Sequence, residues 1–170
     1  MQKIKKIIAN TPEISVILAL ALIMTVTAIA NSNFLSVGNM TALLKSIPFI
    51  ALATLGCSLC LNCGVLDISI GRVAGLCGMV FGYILDATGS LIAALACGIG
   101  CGLLFGFINA FLSINVGVDS FIVTMGTLYV AGGLRYMINS GDPITLPESY
   151  RNFSQATPLG ISWFFWIVLA

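Results

Sequence analysis

The residues whose side chains could bind a ligand or take part in chemistry lie in a short polar stretch between long apolar runs. Asp67, Ser69 and Arg72 supply a carboxylate, a hydroxyl and a guanidinium, and Gly64 and Gly71 lie close by. An ionisable group in or beside hydrocarbon costs free energy unless it is paired, hydrated or capped. Glycines so close to it weaken a helix at the same place. The stretch therefore predicts a broken membrane helix that exposes its polar ends to a pathway.

Asp67 has two interpretations. As a cap, its carboxylate accepts backbone N–H groups at the positive end of a helix that begins at Ile68, and Ser69 does this if the helix begins later. As a pathway residue, Asp67 contacts a solute or pairs with Arg72. We favour the cap as the simpler role.

The cysteines favour a structural interpretation. Three of them have the spacing Cys57-x-x-Cys60-x-x-Cys63, which imitates part of an iron–sulfur ligand run. No fourth ligand follows at cluster spacing, and positions three apart on a helix are rotated by about 300°. All six cysteines fall in apolar runs, unlike those of disulfide scaffolds, so we predict small packing residues and no metal site. The remaining three are Cys77, Cys97 and Cys101.

The composition identifies a membrane protein. Hydrophobic residues make up 59% of the 170 residues and charged residues 8%, against about 25% charged in soluble domains. A net charge of +1 excludes a basic surface for nucleic acid. The sequence contains no histidine, no nucleophile–base set and no phosphate-binding loop of the Gly-x-x-x-x-Gly-Lys type, so an enzyme is the least favoured class.

The apolar runs predict an all-α, polytopic transmembrane bundle with five full spans and the start of a sixth. A short amphipathic helix at residues 39–45 is expected to lie at the membrane surface before the second span. Two sets of glycines at helical spacing predict faces where helices approach closely, with Asn109 one turn beyond the second set as a hydrogen-bonding contact. The predicted spans are residues 14–30, 48–66, 73–85, 91–112, 120–138 and, in part, 161–170. The packing glycines are Gly75, Gly78, Gly82, Gly98, Gly102 and Gly106.

The charges predict the topology. Lys3, Lys5 and Lys6 precede the first span and hold residues 1–13 in the cytoplasm. A cleaved signal peptide is the competing interpretation of this start, and the further spans favour an uncleaved helix. Counting alternately, Asp67 lies near the cytoplasmic side, and residues 139–158 form an external loop. Arg135 is then expected to snorkel to the interface.

Four segments resemble, in order, the permease subunits of bacterial ABC importers for ribose, xylose, galactose and related monosaccharides. The match covers nearly the whole chain, although each segment alone is weak. Two departures stand out: Ser120 replaces the usual proline, and Arg72 replaces a small residue. The segments are Asp67-Ile68-Ser69-Ile70-Gly71, Gly106-Phe107-Ile108-Asn109, Ser120-Phe121-Ile122-Val123-Thr124-Met125-Gly126-Thr127, and residues 141–148.

The resemblance implies one multi-pass permease domain over residues 1–170, incomplete at its C-terminus, in a bacterial cell membrane. It would pair with a second permease copy and form the pathway for a ribose-like monosaccharide. An external binding protein would deliver the sugar, with Pro143 and Glu148 as contacts, and a cytoplasmic ATPase would bind ATP, leaving no cofactor in this chain. The signature and pathway residues implied are Asp67, Ser69, Gly71, Asn109 and Thr124.

Two alternative functions stay open. The same spans suit an ion-coupled secondary transporter in which Asp67 is a cation or proton site. They also suit a membrane scaffold whose glycine faces serve only assembly.

Overall fold

A computed structural model describes residues 12–140, 142, 144–146, 148 and 150, and the side chains from residue 14 onward. Helix α1 is Pro12–Ala30, α2 is Val37–Asn62, α3 is Ile70–Thr88, α4 is Leu91–Ala110 and α5 is Ser120–Asn139. Helix α4 continues directly into a π-helical turn, Phe111–Asn115.

Four of these segments are long and apolar enough to cross a membrane: α2, α3, α4 with its π-helical turn, and α5. About 20 residues are needed for a crossing, and the apolar part of α1, Ile14–Ala30, is shorter. Large apolar side chains such as Ile29, Ile92 and Met137 are exposed, as expected where the solvent is lipid. The predicted helical membrane architecture is confirmed, and the predicted sixth span lies outside the described residues.

The structure corrects the start of the second span. Residues 39–45 do not form a separate surface helix, because they are the first turns of α2, which runs through a buried Pro48. Ser36 begins this helix by accepting the Asn39 N–H at 3.3 Å. Proline removes the backbone donor that would bond to the Leu44 carbonyl four residues back. In the same turn Ser46 Oγ donates to the neighbouring Leu43 carbonyl oxygen at 2.8 Å.

The chain divides into two compact units, one ending at Ser46 and the other beginning at Ile47. The first contains α1 and the start of α2. The second contains the rest of α2 and helices α3, α4 and α5. The residues of the candidate site all lie in the second unit, and the single domain over residues 1–170 stays a prediction.

Helices α3 and α4 form an antiparallel hairpin. The turn is made by Gly89, whose φ of +66° is left-handed and whose N–H donates to the Leu85 carbonyl at 2.8 Å. Ser90 then caps α4 by accepting the Ala93 N–H at 3.3 Å. Glycine suits this position because it adopts positive φ without steric cost.

Helix α5 runs parallel to α3 and packs against it and against α4. Its start is fixed by Asp119, whose carboxylate accepts the Phe121 N–H at 3.0 Å. Further along, Arg72 lies beside Gly132 and Arg135 lies beside Gly75. The three helices α3, α4 and α5 therefore bring the start of α3, the end of α4 and the start of α5 to the same end of the bundle.

Candidate functional site

The polar stretch is an unwound segment between α2 and α3. Helix α2 ends in a glycine motif in which Gly64 has φ +75°, the Gly64 N–H donates to Leu61 O at 2.9 Å and the Val65 N–H donates to Cys60 O at 3.0 Å. Residues 65–69 have no regular structure, and α3 begins at Ile70. The predicted break is present, and its helical restart lies two residues after Ile68.

Asp67 organises this segment without capping α3 directly. Its Oδ1 atom accepts the backbone N–H of Ser69 at 2.7 Å and the Ser69 hydroxyl at 2.6 Å. Ser69 occupies the N-cap position of α3, and its side chain makes no capping bond. The predicted cap by Asp67 is therefore corrected: the carboxylate fixes the N-cap residue in an Asx turn, because the segment stays unwound through Ser69.

A chain of buried side chains links the three helices. The Asn109 Nδ2 atom on α4 donates to Ser69 Oγ at 3.1 Å, and Thr127 Oγ1 on α5 donates to Asn109 Oδ1 at 2.5 Å. Ser69, Asn109 and Thr127 are 1%, 7% and 8% exposed. Buried polar groups are costly unless they are hydrogen-bonded, so this network defines how the helix ends fit together.

The first turn of α5 holds the backbone of the unwound segment. Ser120 Oγ accepts the Leu66 N–H at 3.1 Å, and Thr124 Oγ1 accepts the Ile68 N–H at 3.4 Å. Thr124 Oγ1 also lies 3.2 Å from the Leu66 carbonyl and 2.8 Å from the Ser120 carbonyl, and its single proton serves one of them. Two hydroxyls thus replace part of the hydrogen bonding that the segment lost by leaving the helix.

The structure brings together Asp67, Ser69, Asn109 and Thr124, four of the five residues selected as signature and pathway residues. Gly71 is exposed on the first turn of α3, and a Cβ added there would contact nothing within 4 Å. Sequence reasoning did not select Thr127, Ser120 or Ser113. Thr127 carried a signal because it follows Thr124 by three positions and shares its helix face, and Ser120 carried one as the replacement of a proline.

The six predicted packing glycines fall into three groups. Gly98 and Gly102 lie against α3, where an added Cβ would be 3.3 Å from the Cys77 carbonyl and 3.4 Å from its Sγ atom, respectively. Gly75 faces the Arg135 guanidinium, and Gly82 faces Ile144, both at 3.3 Å. An added Cβ at Gly78 or Gly106 would meet nothing within 4 Å, and their packing role stays a prediction.

The predicted contacts for an external partner follow α5 in the sequence. Glu148 is helical and exposed, and Pro143 lies outside the described residues. Arg135, on the last turns of α5, is also exposed, with its side chain lying across Gly75 on α3.

Two cavities meet at Asp67. One, of about 310 Å³, lies between the end of α2, the unwound segment and the π-helical turn. The other, of about 280 Å³, lies along the α3–α4 interface and is lined by Ser69, Cys77 and Gly102 among others. Asp67, Gly106 and Asn109 line both cavities. The carboxylate of Asp67 therefore lies at the junction of two cavities.

Comparison with known proteins identifies the family. Residues 39–170 match the family described as branched-chain amino acid transport system / permease component. The chain belongs to this permease family. This membership and the similar import proteins confirm the resemblance to importer permeases inferred from the four segments.

The chain is similar to proteins called autoinducer 2 import system permease protein LsrC. It is 29% identical over 165 residues to that of Escherichia coli (strain K12 / DH10B), covering 96% of this chain and 48% of the relative. The protein of Shigella flexneri is 30% identical with the same coverage, and that of Photorhabdus luminescens is 27% identical over 96% of this chain and 50% of the relative. The chain thus spans about half the length of these relatives. No solved structure matches it.

Proposed function

We propose that the chain forms part of the pathway of an ABC importer permease that takes up a small hydroxylated solute of the monosaccharide type. The family membership and the import systems of its relatives support a transport role. The observation that carries the proposal is the position of Asp67, on an unwound segment where two cavities meet. Irregular backbone at membrane depth is tolerated where it lines a cavity, and transporters place their solute sites there.

The side chains at this junction suit a neutral solute rich in hydroxyls. The Asp67 carboxylate accepts hydrogen bonds, and the hydroxyls of Ser69 and Thr124 and the amide of Asn109 fix its surroundings. Sugars combine hydroxyl groups with apolar C–H faces, and the remaining cavity walls are mainly apolar. A few placed polar groups on apolar walls are typical of small-molecule sites.

The partners follow from the same proposal. A second permease copy completes the pathway, a cytoplasmic ATPase binds ATP, and an external binding protein delivers the solute. The N-terminus is cytoplasmic, supported by the lysines before α1 and the positive-inside rule. This orientation places the loop after α5, with Glu148, on the external side.

Uptake by the full-length subunit in its complete system tests the function. Labelled ribose should accumulate only with ATP and the external binding protein. Asp67→Asn should lower the uptake rate about tenfold at unchanged membrane abundance, since a carboxylate bond is worth about 1.5–3 kcal/mol. Asp86→Asn, an exposed carboxylate at the end of α3, is the matched control and should transport normally.

Other results would replace the proposal. Uptake that needs an ion gradient but neither ATP nor the binding protein assigns the chain to secondary transporters. An intact system that moves no solute, in a deletion strain without an uptake defect, assigns it to scaffold proteins.

The external contact has its own prediction. Glu148→Lys reverses an exposed charge in the segment after α5 and should weaken docking of the binding protein about tenfold, because charges at a docking rim mainly set the association rate. Surface plasmon resonance on the full-length complex would measure it, with Asp86→Lys, an exposed carboxylate outside this segment, as the control. Unchanged docking of the Glu148→Lys complex would remove this residue from the interface.

A further inference from the structure

We propose that the cavity between the unwound segment and the π-helical turn is a subsite for a hydroxyl-bearing part of the solute, with Ser113 as a binding residue. The two hydrogen-bonding groups are Ser113 Oγ and the second carboxylate oxygen of Asp67, Oδ2. Both residues line the cavity of about 310 Å³. This inference rests on the proposed function and names the site within the pathway where the solute binds.

Ser113 has a buried hydroxyl without a partner. Among the described residues, its Oγ is the buried side-chain oxygen or nitrogen that makes no hydrogen bond. Hydroxyls elsewhere in the chain, such as those of Thr25, Thr54 and Thr88, donate to the carbonyl one turn back. A buried hydroxyl left unpaired is costly and calls for an explanation. Ser113 lines the cavity, and a ligand bound there would give this hydroxyl its missing partner.

The π-helical turn explains why this hydroxyl is free. Ser113 lies within Phe111–Asn115, where the Val116 N–H bonds five residues back to the Phe111 carbonyl at 3.2 Å. The wider turn displaces side chains and carbonyls from their α-helical register, and such turns are frequent at functional sites. Ser113 is thereby placed on the cavity side of α4, one turn beyond Asn109.

Asp67 supplies the second group. Its Oδ1 atom accepts both bonds from Ser69, so Oδ2 remains available to a ligand in either adjoining cavity. A carboxylate oxygen and a hydroxyl on the same cavity can engage two hydroxyls of one small molecule. Leu59, Val65 and Ile114 add apolar walls for its C–H face. The cavity volume is at the lower end of ligand pockets, about 300–1,000 Å³.

The lining favours this ligand class over two others. A calcium-like cation needs about six to eight oxygen ligands, and the cavity offers one carboxylate and few further oxygens. A zwitterionic amino acid could place its ammonium group at Asp67, but its carboxylate would need a cationic partner. No lysine or arginine is among the described residues that line the cavity. A neutral polyhydroxylated molecule can hydrogen-bond to both polar groups and brings no charge of its own that would lack a partner.

Native thiols provide the test. Cys60 and Cys63 line this cavity, whereas Cys97 and Cys101 line a different hollow between α3, α4 and α5. The full-length subunit in lipid nanodiscs would be treated with a small maleimide, and labelling at each cysteine would be followed by mass spectrometry. Ribose should slow labelling of Cys60 and Cys63 severalfold and leave Cys97 and Cys101 unchanged. L-leucine, as the zwitterionic probe, should protect none of them.

Three variants isolate the hydroxyl of Ser113. Ser113→Ala should raise the ribose concentration needed for half-protection about fivefold, the size expected from one hydrogen bond. Ser113→Thr keeps a hydroxyl and should restore most of the protection, which separates binding from folding. Ser58→Ala removes an exposed hydroxyl of α2 that lies outside the cavity lining and should match the unmodified protein.

The outcomes separate this subsite from the importer function. Equal protection in Ser113→Ala would remove Ser113, and protection by leucine instead of ribose would overturn the ligand class. Slowed labelling of all four cysteines, or of none, would overturn the subsite even if ATP-dependent ribose uptake is intact. Protection confined to Cys60 and Cys63 without any such uptake would support the subsite while removing the proposed importer.

Discussion

The middle of the α3–α4 hairpin and its open end solve the same packing problem by different means. Midway along the hairpin the helices meet in a close-packed seam, where Gly98 lies against Cys77 and Phe81. At the open end Ser69 and Asn109 meet through a hydrogen bond of 3.1 Å, and cavities open on both sides of Asp67. The seam relies on close backbone approach, whereas the open end relies on hydrogen bonds between side chains that line cavities.

The difference shows what each kind of contact can determine in lipid. Apolar burial between helices gains little where the surroundings are equally apolar, so the seam depends on close van der Waals approach over glycine. Such packing sets the distance between helices but tolerates rotation and sliding. Hydrogen bonds are directional, and the Ser69–Asn109–Thr127 chain fixes the register of three helices at once. A bundle that must keep a cavity open needs the second kind of contact.

The largest effect is expected from filling the seam. In Gly98→Val, the new Cβ would lie 3.3 Å from both the Cys77 carbonyl and the Phe81 Cβ atom, and backbone cannot move aside cheaply. We expect a loss of about 3 kcal/mol in unfolding free energy, the upper range for overpacking. Unfolding in mixed micelles at increasing denaturing-detergent fraction would measure it.

The control for that change is Gly100→Val, on the same helix. Gly100 is exposed and an added Cβ would meet nothing within 4 Å, so the two variants share the same change in helix propensity. A loss within about 0.5 kcal/mol is expected for it, as for most surface substitutions. Equal losses for both variants would show that the seam contributes no specific packing energy.

Disrupting the hydrogen bonds at the open end should lower the unfolding free energy less than filling the seam does, but it should lower solute uptake more. Asn109→Leu removes both hydrogen bonds, which leaves Thr127 Oγ1 without its Asn109 acceptor and Ser69 Oγ bonded only to Asp67. We expect about 1.5 kcal/mol, near the upper range measured for hydrogen bonds between membrane helices. Solute uptake should fall more than in Gly100→Val at equal abundance, because the cavity at Asp67 loses a wall.

The comparison for this change is Asn115→Leu, an exposed asparagine at the end of the π-helical turn. It should leave unfolding and uptake near normal. If Asn109→Leu instead stabilises the bundle and keeps uptake, the polar chain is neither a structural register nor part of the pathway.

Much of this arrangement could be predicted from the sequence because its signals are local. An apolar run of about 20 residues specifies a crossing, and the span that became α5 was predicted to within one residue at its end. A break in the helix is predicted by the polar residues Asp67 and Ser69 and the glycines near them. An interhelical contact is predicted by Asn109, since an amide within an apolar run must find a hydrogen-bond partner in lipid.

The remaining features depend on contacts between distant residues. The local chemistry of Pro48 predicts the start of a helix, yet α2 continues through this residue. Ser113 looks like any small polar residue in a helix until the π-helical turn leaves its hydroxyl unpaired. Helix α3 begins at Ile70 and not at Ile68, because the backbone N–H groups of residues 66 and 68 donate to side chains of α5. No window of the sequence contains both partners of such a bond.

The smallest expected effect tests the contact between these two regions of the chain. Ser120 Oγ accepts the Leu66 N–H at 3.1 Å near the surface of the bundle, so Ser120→Ala should cost about 0.5 kcal/mol, the lower value for a hydrogen bond. The effect specific to this contact is the rate of hydrogen–deuterium exchange at one amide. The Leu66 amide should exchange severalfold faster, while exchange of the Ile68 amide, held by Thr124, should change little. Ser58→Ala, on an exposed face of α2, should alter neither amide. Faster exchange at both amides would show that Ser120 alone keeps the unwound segment docked, whereas unchanged exchange at Leu66 would show that Thr124 suffices.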